Sequence, residues 1–159
     1  MSQAPPPRTR LLLADTPDAV GLARLHITNV LARWGVPPDS VETVKLLVSE
    51  LATNAVRHPN RREQQRSSEA DQHAAGTFEI MLDSDNDTIR LSVWDRDARP
   101  PVLQEVGVEA SGGRGVFLVA AMSRRWGCYP ANGRPGKVVW AEVSVCPEER
   151  RAESDWAEV

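Results

Sequence analysis

Cysteine is scarce in this chain of 159 residues. Cys128 and Cys146 are the only two, and they form neither a CxxC pair nor part of a Cys/His ligand cluster. Nothing in their spacing supports a thiolate metal site, and the expectation is two reduced thiols. Long apolar runs are also missing: none approaches the roughly 18 residues that a membrane span requires. Net positive charge is missing as well. Lys and Arg total 19 against 22 Asp and Glu, a formal net charge of −3, so the bulk basic footprint of a nucleic-acid binder is absent. The opening "MSQAPPPRTR" has no apolar core segment and does not read as a secretory signal. There are no internal repeats. These absences point to a cytoplasmic protein with no membrane span and no direct nucleic-acid partner.

What is present is enough for one packed domain. Hydrophobic residues make up 41% of the chain, and this length can bury a real core. Residues 1–10 are Pro-rich and polar and read as a disordered tail. "RLLLA" reads as a first strand. A helix follows in "TPDAVGLARLHITNVLARWG", with Thr16 as its expected N-cap and Pro17 at its first position. Val20, Ala23, Ile27, Val30, Leu31 and Trp34 recur there at helical spacing, and Gly35 ends the element. A second helix, expected to be capped by Asp39 or Ser40, runs to about His58 and is stopped by Pro59.

Residues 60–76 are almost wholly polar and read as a surface insertion. "FEIML" and "IRLSVW" read as a hairpin closed by the turn "DSDND". Residues 97–112 are irregular and rich in Pro, Gly and acid. "GRGVFLVAAMSRRWG" opens on glycines and becomes a third helix. "WGCYP" and "KVVWAEVSV" form the last strands around "ANGRPG", and 147–159 is a charged tail. Hairpin-linked strands with about three helices give an α+β chain, a two-layer α/β sandwich with a mixed, mostly antiparallel sheet.

The second helix carries the most informative pattern. At about 100° per residue, Val44, Leu47, Val48, Leu51 and Ala55 form one apolar face. Glu50, Asn54 and Arg57 fall in a stripe about 60° wide along its edge. Glu50 and Asn54 are an i, i+4 pair, so their side chains are neighbours. A carboxylate beside an amide at the margin of a core can hold a water or a hard cation, which prefers oxygen ligands. "GGRGV", residues 112–116, stands directly before an apolar helix, where free N–H groups suit an anion. "VWD" ends a strand on Asp95, where the residue is either a turn former or a ligand contact. "GRPGK" imitates a phosphate-binding loop but lacks the full pattern and leads into a strand.

Together, "ELATNAVRH", "VWD", "GGRGVFLVAAMSRRWG" and "GKVVWAEV", in that order, resemble the ATP-binding domains of the gyrase and histidine-kinase type, the Bergerat fold. The similarity spans residues 11–146 and is strongest to the small anti-sigma-factor serine/threonine kinases and stand-alone actinomycete ATP-binding regulators. The resemblance implies ATP and Mg²⁺ as cofactors. It makes Asn54 the Mg²⁺ ligand and Glu50 the catalytic base. Asp95 would accept from the adenine amino group. Arg57 stands where histidine kinases often carry a phosphate-binding lysine, and Gly113, Arg114 and Gly115 would form the phosphate-facing turn, with 97–112 as a lid. His58, which ends the helix motif, and Val116 count among the ATP-binding residues without a more specific role. It further implies a sigma factor and a STAS-type anti-anti-sigma protein as partners, contacts through Arg24 and Arg33 of the first helix, and a homodimer.

Two departures stand out. The glycines that usually follow the adenine-binding Asp are missing from "DRDARPP". Val138 stands where relatives often carry Thr before the final "VW". A non-catalytic ATP-binding adaptor is a second reading. A detached histidine-kinase catalytic domain is a third, disfavoured because no coiled-coil helix bears a phospho-accepting His; His26 lies alone in the first helix.

Overall fold

The computed structural model describes residues 6–57, 76–85, 87–101 and 119–145. Strand β1 (Arg8–Ala14) leads to helix α1 (Ala19–Arg33) and helix α2 (Pro38–Arg57). Strands β2 (Thr77–Asp85), β3 (Thr88–Asp95), β4 (Arg125–Pro130) and β5 (Lys137–Ser144) follow, with residues 119–122 helical ahead of β4. The five strands lie in the order β1-β2-β3-β5-β4. Every neighbouring pair among them is antiparallel. The expected mostly antiparallel α+β sandwich is therefore observed, and no parallel pair occurs among the described strands.

The core follows from two periodicities meeting. Alternate residues of β3 and β5, Ile89, Leu91, Val93, Val139, Ala141 and Val143, turn to the helices and are buried. Against them lie the apolar stripes of α1 (Ala23, Ile27, Val30, Leu31) and α2 (Val44, Leu47, Val48, Leu51, Ala55), as the helical spacing predicts. Fully burying each large aliphatic side chain among these contributes about 1.5–3 kcal/mol. α1 ends as expected. Gly35 takes a left-handed φ of 70°. Its N–H donates to Ala32 O at 3.1 Å, and that of Val36 donates to Leu31 O at 3.0 Å, closing the last turn.

Several element boundaries differ from the sequence reading. Arg8, Thr9 and Arg10 belong to β1 rather than to a tail, because they pair with Asp83, Leu82 and Met81. α1 starts at Ala19 with Asp18 at the cap position and no side-chain cap bond. Thr16 and Pro17 instead form a preceding turn, in which Ala19 N–H donates to Thr16 O at 3.0 Å. Neither Asp39 nor Ser40 caps α2. The helix opens on Pro38, and the Pro37 carbonyl accepts from Val41 N–H at 3.0 Å. Proline at the first helical position needs no N–H partner there. The "DSDND" turn is shorter than expected: Asp83, Ser84 and Asp85 continue the ladder, and Asp85 faces Thr88. Residues 1–5, most of the 60–76 insertion, 102–118 and 146–159 lie outside the described residues.

The sheet face away from the helices is polar but not bare. Arg10 and Arg134 both hold Glu79, at 2.7 and 2.9 Å. Arg90 and Arg125 both hold Glu142, at 2.7 and 2.9 Å. The Arg134 guanidinium lies 4.0 Å over the Trp94 ring and that of Arg90 4.4 Å over Trp140. Arginine stems and planes thus cover both indoles and bury both carboxylates.

The β4–β5 turn tests how tightly the end of the sheet is built. Gly133 and Gly136 have φ of 75° and 104°. A Cβ on Gly133 meets nothing, whereas one on Gly136 would overlap the Asp95 carbonyl oxygen and stand 2.8 Å from Arg96 Cα. Gly133→Ala should therefore cost only the left-handed penalty, about 1–2 kcal/mol. Gly136→Ala should cost clearly more, because the backbone of β3 must move. Urea denaturation of both variants checks the difference.

Candidate functional site

The residues singled out from the sequence fall into distinct environments. Glu50 and Asn54 are both half-buried on α2, beside the buried Leu51, Ala52 and Ala55. They stand one turn apart at the margin of the stripe that packs on β3 and β5. Arg57 is the last residue of α2. His58, Gly113, Arg114, Gly115 and Val116 lie outside the described residues, as does the expected lid beyond residue 101. Arg24 and Arg33 are exposed on α1. His26 is half-buried, and its Nε2 has no hydrogen-bond partner among the described residues. Burial, with Arg33 nearby, holds its pKa down, so the side chain stays neutral at physiological pH.

Asp95 ends β3 on the helix-facing side of the sheet, and its Cα partner is Lys137, the first residue of β5. The two side chains are only 13% and 10% exposed. Lys137 Nζ donates to Asp95 Oδ1 at 3.0 Å and to Oδ2 at 3.1 Å. It also donates to the Asp97 carbonyl oxygen at 2.8 Å. The Asp97 N–H donates to Asp95 Oδ1 at 2.8 Å. Oδ1 thus carries two donors and Oδ2 one, and a carboxylate oxygen has room for about two. Among the described residues, the acceptor direction left open is on Oδ2.

Charge around this carboxylate is balanced. Burial pushes the Asp95 carboxyl above its ordinary pKa, and the Lys137 ammonium and the Asp97 N–H pull it back. Asp97, buried one step on, is clasped by Arg99, whose Nη2 donates to Oδ2 at 2.6 Å and Nε to Oδ1 at 2.9 Å. That fork is the main cause holding the Asp97 carboxyl down to about 2. The missing glycines of "DRDARPP" are thus replaced by a segment fixed through its own side chains.

Val138, which stands where relatives often carry Thr, lies on the other face of the sheet from Asp95. It pairs with Trp94 and Tyr129 on the opposite face of the sheet. Lys137, one residue earlier, is the side chain that meets Asp95. Sequence reasoning passed over Lys137 inside "GRPGK". The signal that finds it is parity: Lys137 shares its face with Val139, Ala141 and Val143.

These residues suit a nucleotide with a bound cation. A buried carboxylate with one open acceptor direction fits an amino group on a base. An amide and a carboxylate at the edge of α2 fit a cation that takes most of its ligands from phosphates and water. Among the described residues, no group of three or more His, Cys, Asp or Glu could hold a metal by itself. No described helix is long and apolar enough to cross a membrane.

Comparison with known proteins gives the same direction. The family model for the histidine kinase-like ATPase domain matches residues 13–143. The serine-protein kinase RsbW of Oceanobacillus iheyensis is 32% identical over 118 residues, which cover 67% of this chain and 68% of that protein. RsbW of Listeria innocua is 27% identical over 117 residues, 70% of this chain and 73% of that one. Among solved structures, the RsbU and RsbW domains of Rv1364c from Mycobacterium tuberculosis share the fold, with a TM-score of 0.57 and 19% identity. That match covers 91% of this chain, which spans only 34% of the chain it matches. The helix that presents Glu50 and Asn54, the strand that ends on Asp95 and a family match over most of the chain agree: this protein belongs to the histidine kinase-like ATPase domain family.

Proposed function

We propose that this protein is an ATP-dependent serine/threonine protein kinase of the anti-sigma type, which sequesters a sigma factor and phosphorylates a STAS-type anti-anti-sigma protein. The observation that carries this reading is the placement of Glu50 and Asn54 one turn apart on the helix packed over β3 and β5, with the buried Asp95 on the same side of that sheet. The RsbW relatives, named as serine-protein kinases, support it.

In this reading Asp95 accepts the adenine amino group on Oδ2 and so fixes the base. Asn54 supplies an oxygen to Mg²⁺ without adding a negative charge beside the triphosphate. Bound Mg²⁺ neutralises charge on the transferring phosphoryl group. Arg57, Gly113, Arg114 and Gly115 would contact the phosphates. Glu50 accepts the proton of the substrate hydroxyl as the new O–P bond forms and the β–γ bridging bond breaks, with ADP leaving. A positioned base of this kind typically contributes about 10²–10⁴-fold.

α1 is proposed to meet the partner. Beside Arg24 its outer surface exposes Leu22 and Leu25, at 51% and 59%. Apolar side chains next to a cation suit a protein contact better than a purely solvated face does. Homodimerisation and a cytoplasmic location belong to the same reading.

The experiment is transfer of labelled γ-phosphate to candidate anti-anti-sigma proteins, with ATP binding followed by calorimetry. Glu50→Gln should retain Mg²⁺-dependent ATP binding and lose about 10²–10⁴-fold in transfer. Asn54→Ala should lose the Mg²⁺-dependent part of binding. A wild type that binds ATP but transfers nothing to its correct partner would establish the adaptor reading instead. Equal transfer by wild type and Glu50→Gln would remove Glu50 as the base.

Arg24→Glu separates the partner surface from the nucleotide site. It should weaken sigma-factor capture in a pull-down while ATP affinity stays at the wild-type value. Unchanged capture would move the interface off this part of α1.

A further inference from the structure

We propose that Lys137 is a positioning residue for nucleotide recognition: its ammonium fixes the Asp95 carboxylate in place, ionised, with one acceptor direction open for the amino group of the base. The inference rests on the nucleotide-binding reading given above and assigns a residue which that reading did not contain.

The geometry leaves Lys137 little else to do. Its Nζ has three protons, and it has three acceptors: Asp95 Oδ1, Asp95 Oδ2 and the Asp97 carbonyl oxygen. One cation therefore ties the end of β3 to the loop that follows it. The Asp97 N–H on Oδ1 completes the clamp, so the carboxylate cannot swing. The open direction on Oδ2 is then set before any ligand arrives, which removes an ordering cost from binding.

The same contact decides the protonation state. A carboxyl buried at this depth favours its neutral form. The groups facing Asp95 are Lys137 from β5, Asp97 and Arg99 from the following loop, and Cys128 from β4. The C-terminal half of α2, the helix packed on this side, carries Glu50 and Arg57. Arg99 is committed to Asp97, and Asp97 is itself an anion. Among the described residues, Lys137 is thus the cation that meets Asp95 directly. Without it, the effect of burial on Asp95 is no longer opposed by that cation, and the carboxyl holds its proton to higher pH than in the wild type. A protonated oxygen is a poor acceptor for an amino group, so the sign is fixed: binding is held at high pH and lost as the pH drops.

The test is the pH dependence of ATP·Mg²⁺ affinity, measured by calorimetry from pH 8 to pH 6 on the full chain. The titration of the ligand's own phosphates is common to every variant and cancels in the comparison with wild type. Relative to wild type, Lys137→Met should weaken progressively as the pH falls, by up to about tenfold per pH unit. Lys137→Arg, which keeps the cation, should restore most of the wild-type profile. Lys137→Gln keeps N–H donors without the charge; it should fold where Met does not and should still show the pH slope. Thermal melts establish that each variant is folded. If Lys137→Met and Lys137→Gln follow the wild-type profile, or lose the same factor at every pH, the positioning role is overturned. A wild type that binds no adenine nucleotide would instead overturn the functional reading, a separate outcome.

Discussion

Side chains in a strand alternate between faces, and in β3 this rule puts a carboxylate where the core expects an aliphatic. Ile89, Leu91 and Val93 face the helices, so Asp95, on the same parity, must face them too. A lone carboxylate there would be costly. The antiparallel register sets Lys137 directly opposite, and the loop from 96 to 101 folds back so that its backbone and Asp97 complete the hydrogen bonding. Close approach of the β4–β5 turn is part of the same arrangement, because only a residue without Cβ fits at Gly136 beside the Asp95 carbonyl. The start of β5, the end of β3 and the conformation of the connecting loop all follow from satisfying one buried acid.

Much of this was legible in the sequence. The stripe of α2 and that of α1 were readable because helical periodicity is a repeated signal over many residues, and each position named for the core of α2 is buried. The two hairpins were readable from short runs rich in apolar and aromatic residues broken by turn residues. What failed depended on single residues. Thr16 looked like a cap, but the chain makes a turn before Asp18. Asp39 looked like another, but Pro38 suits the first position and starts the helix earlier. Arg8 to Arg10 read as part of the Pro-rich, polar tail, yet they belong to β1, the edge strand of the described sheet. There Arg8 pairs with Asp83 and Arg10 with Glu79, across from a partner whose ladder supplies the hydrogen bonds.

The site was legible in part for a related reason. Glu50 and Asn54 could be placed because a helix converts spacing into direction over two turns. Asp95 could be named but not its partner, because that partner lies 42 residues further along the chain and only the strand register brings the two together. A shift of one residue in a strand moves a side chain to the other face, so Lys137 meets Asp95 while its neighbour Val138 pairs with Trp94 on the far side.

For an acidic chain to hold a triphosphate, as the kinase reading has it, its own carboxylates must not repel the ligand. Here the buried acids are neutralised where they stand. Asp95 is matched by Lys137 and Asp97 by Arg99. On the far face, Glu79 and Glu142 each take two arginines. Each of those clusters therefore carries more positive than negative charge, although the whole chain is formally −3. The excess of acid is thus not in the buried part of the sheet. A neutral amide at Asn54 follows the same logic on α2: under the kinase reading it supplies an oxygen to the cation but no further charge to the phosphates. The Asp95–Lys137 and Asp97–Arg99 pairs then add no net charge at the base end, and under the same reading the attraction for the anion would fall to Mg²⁺ and to Arg57.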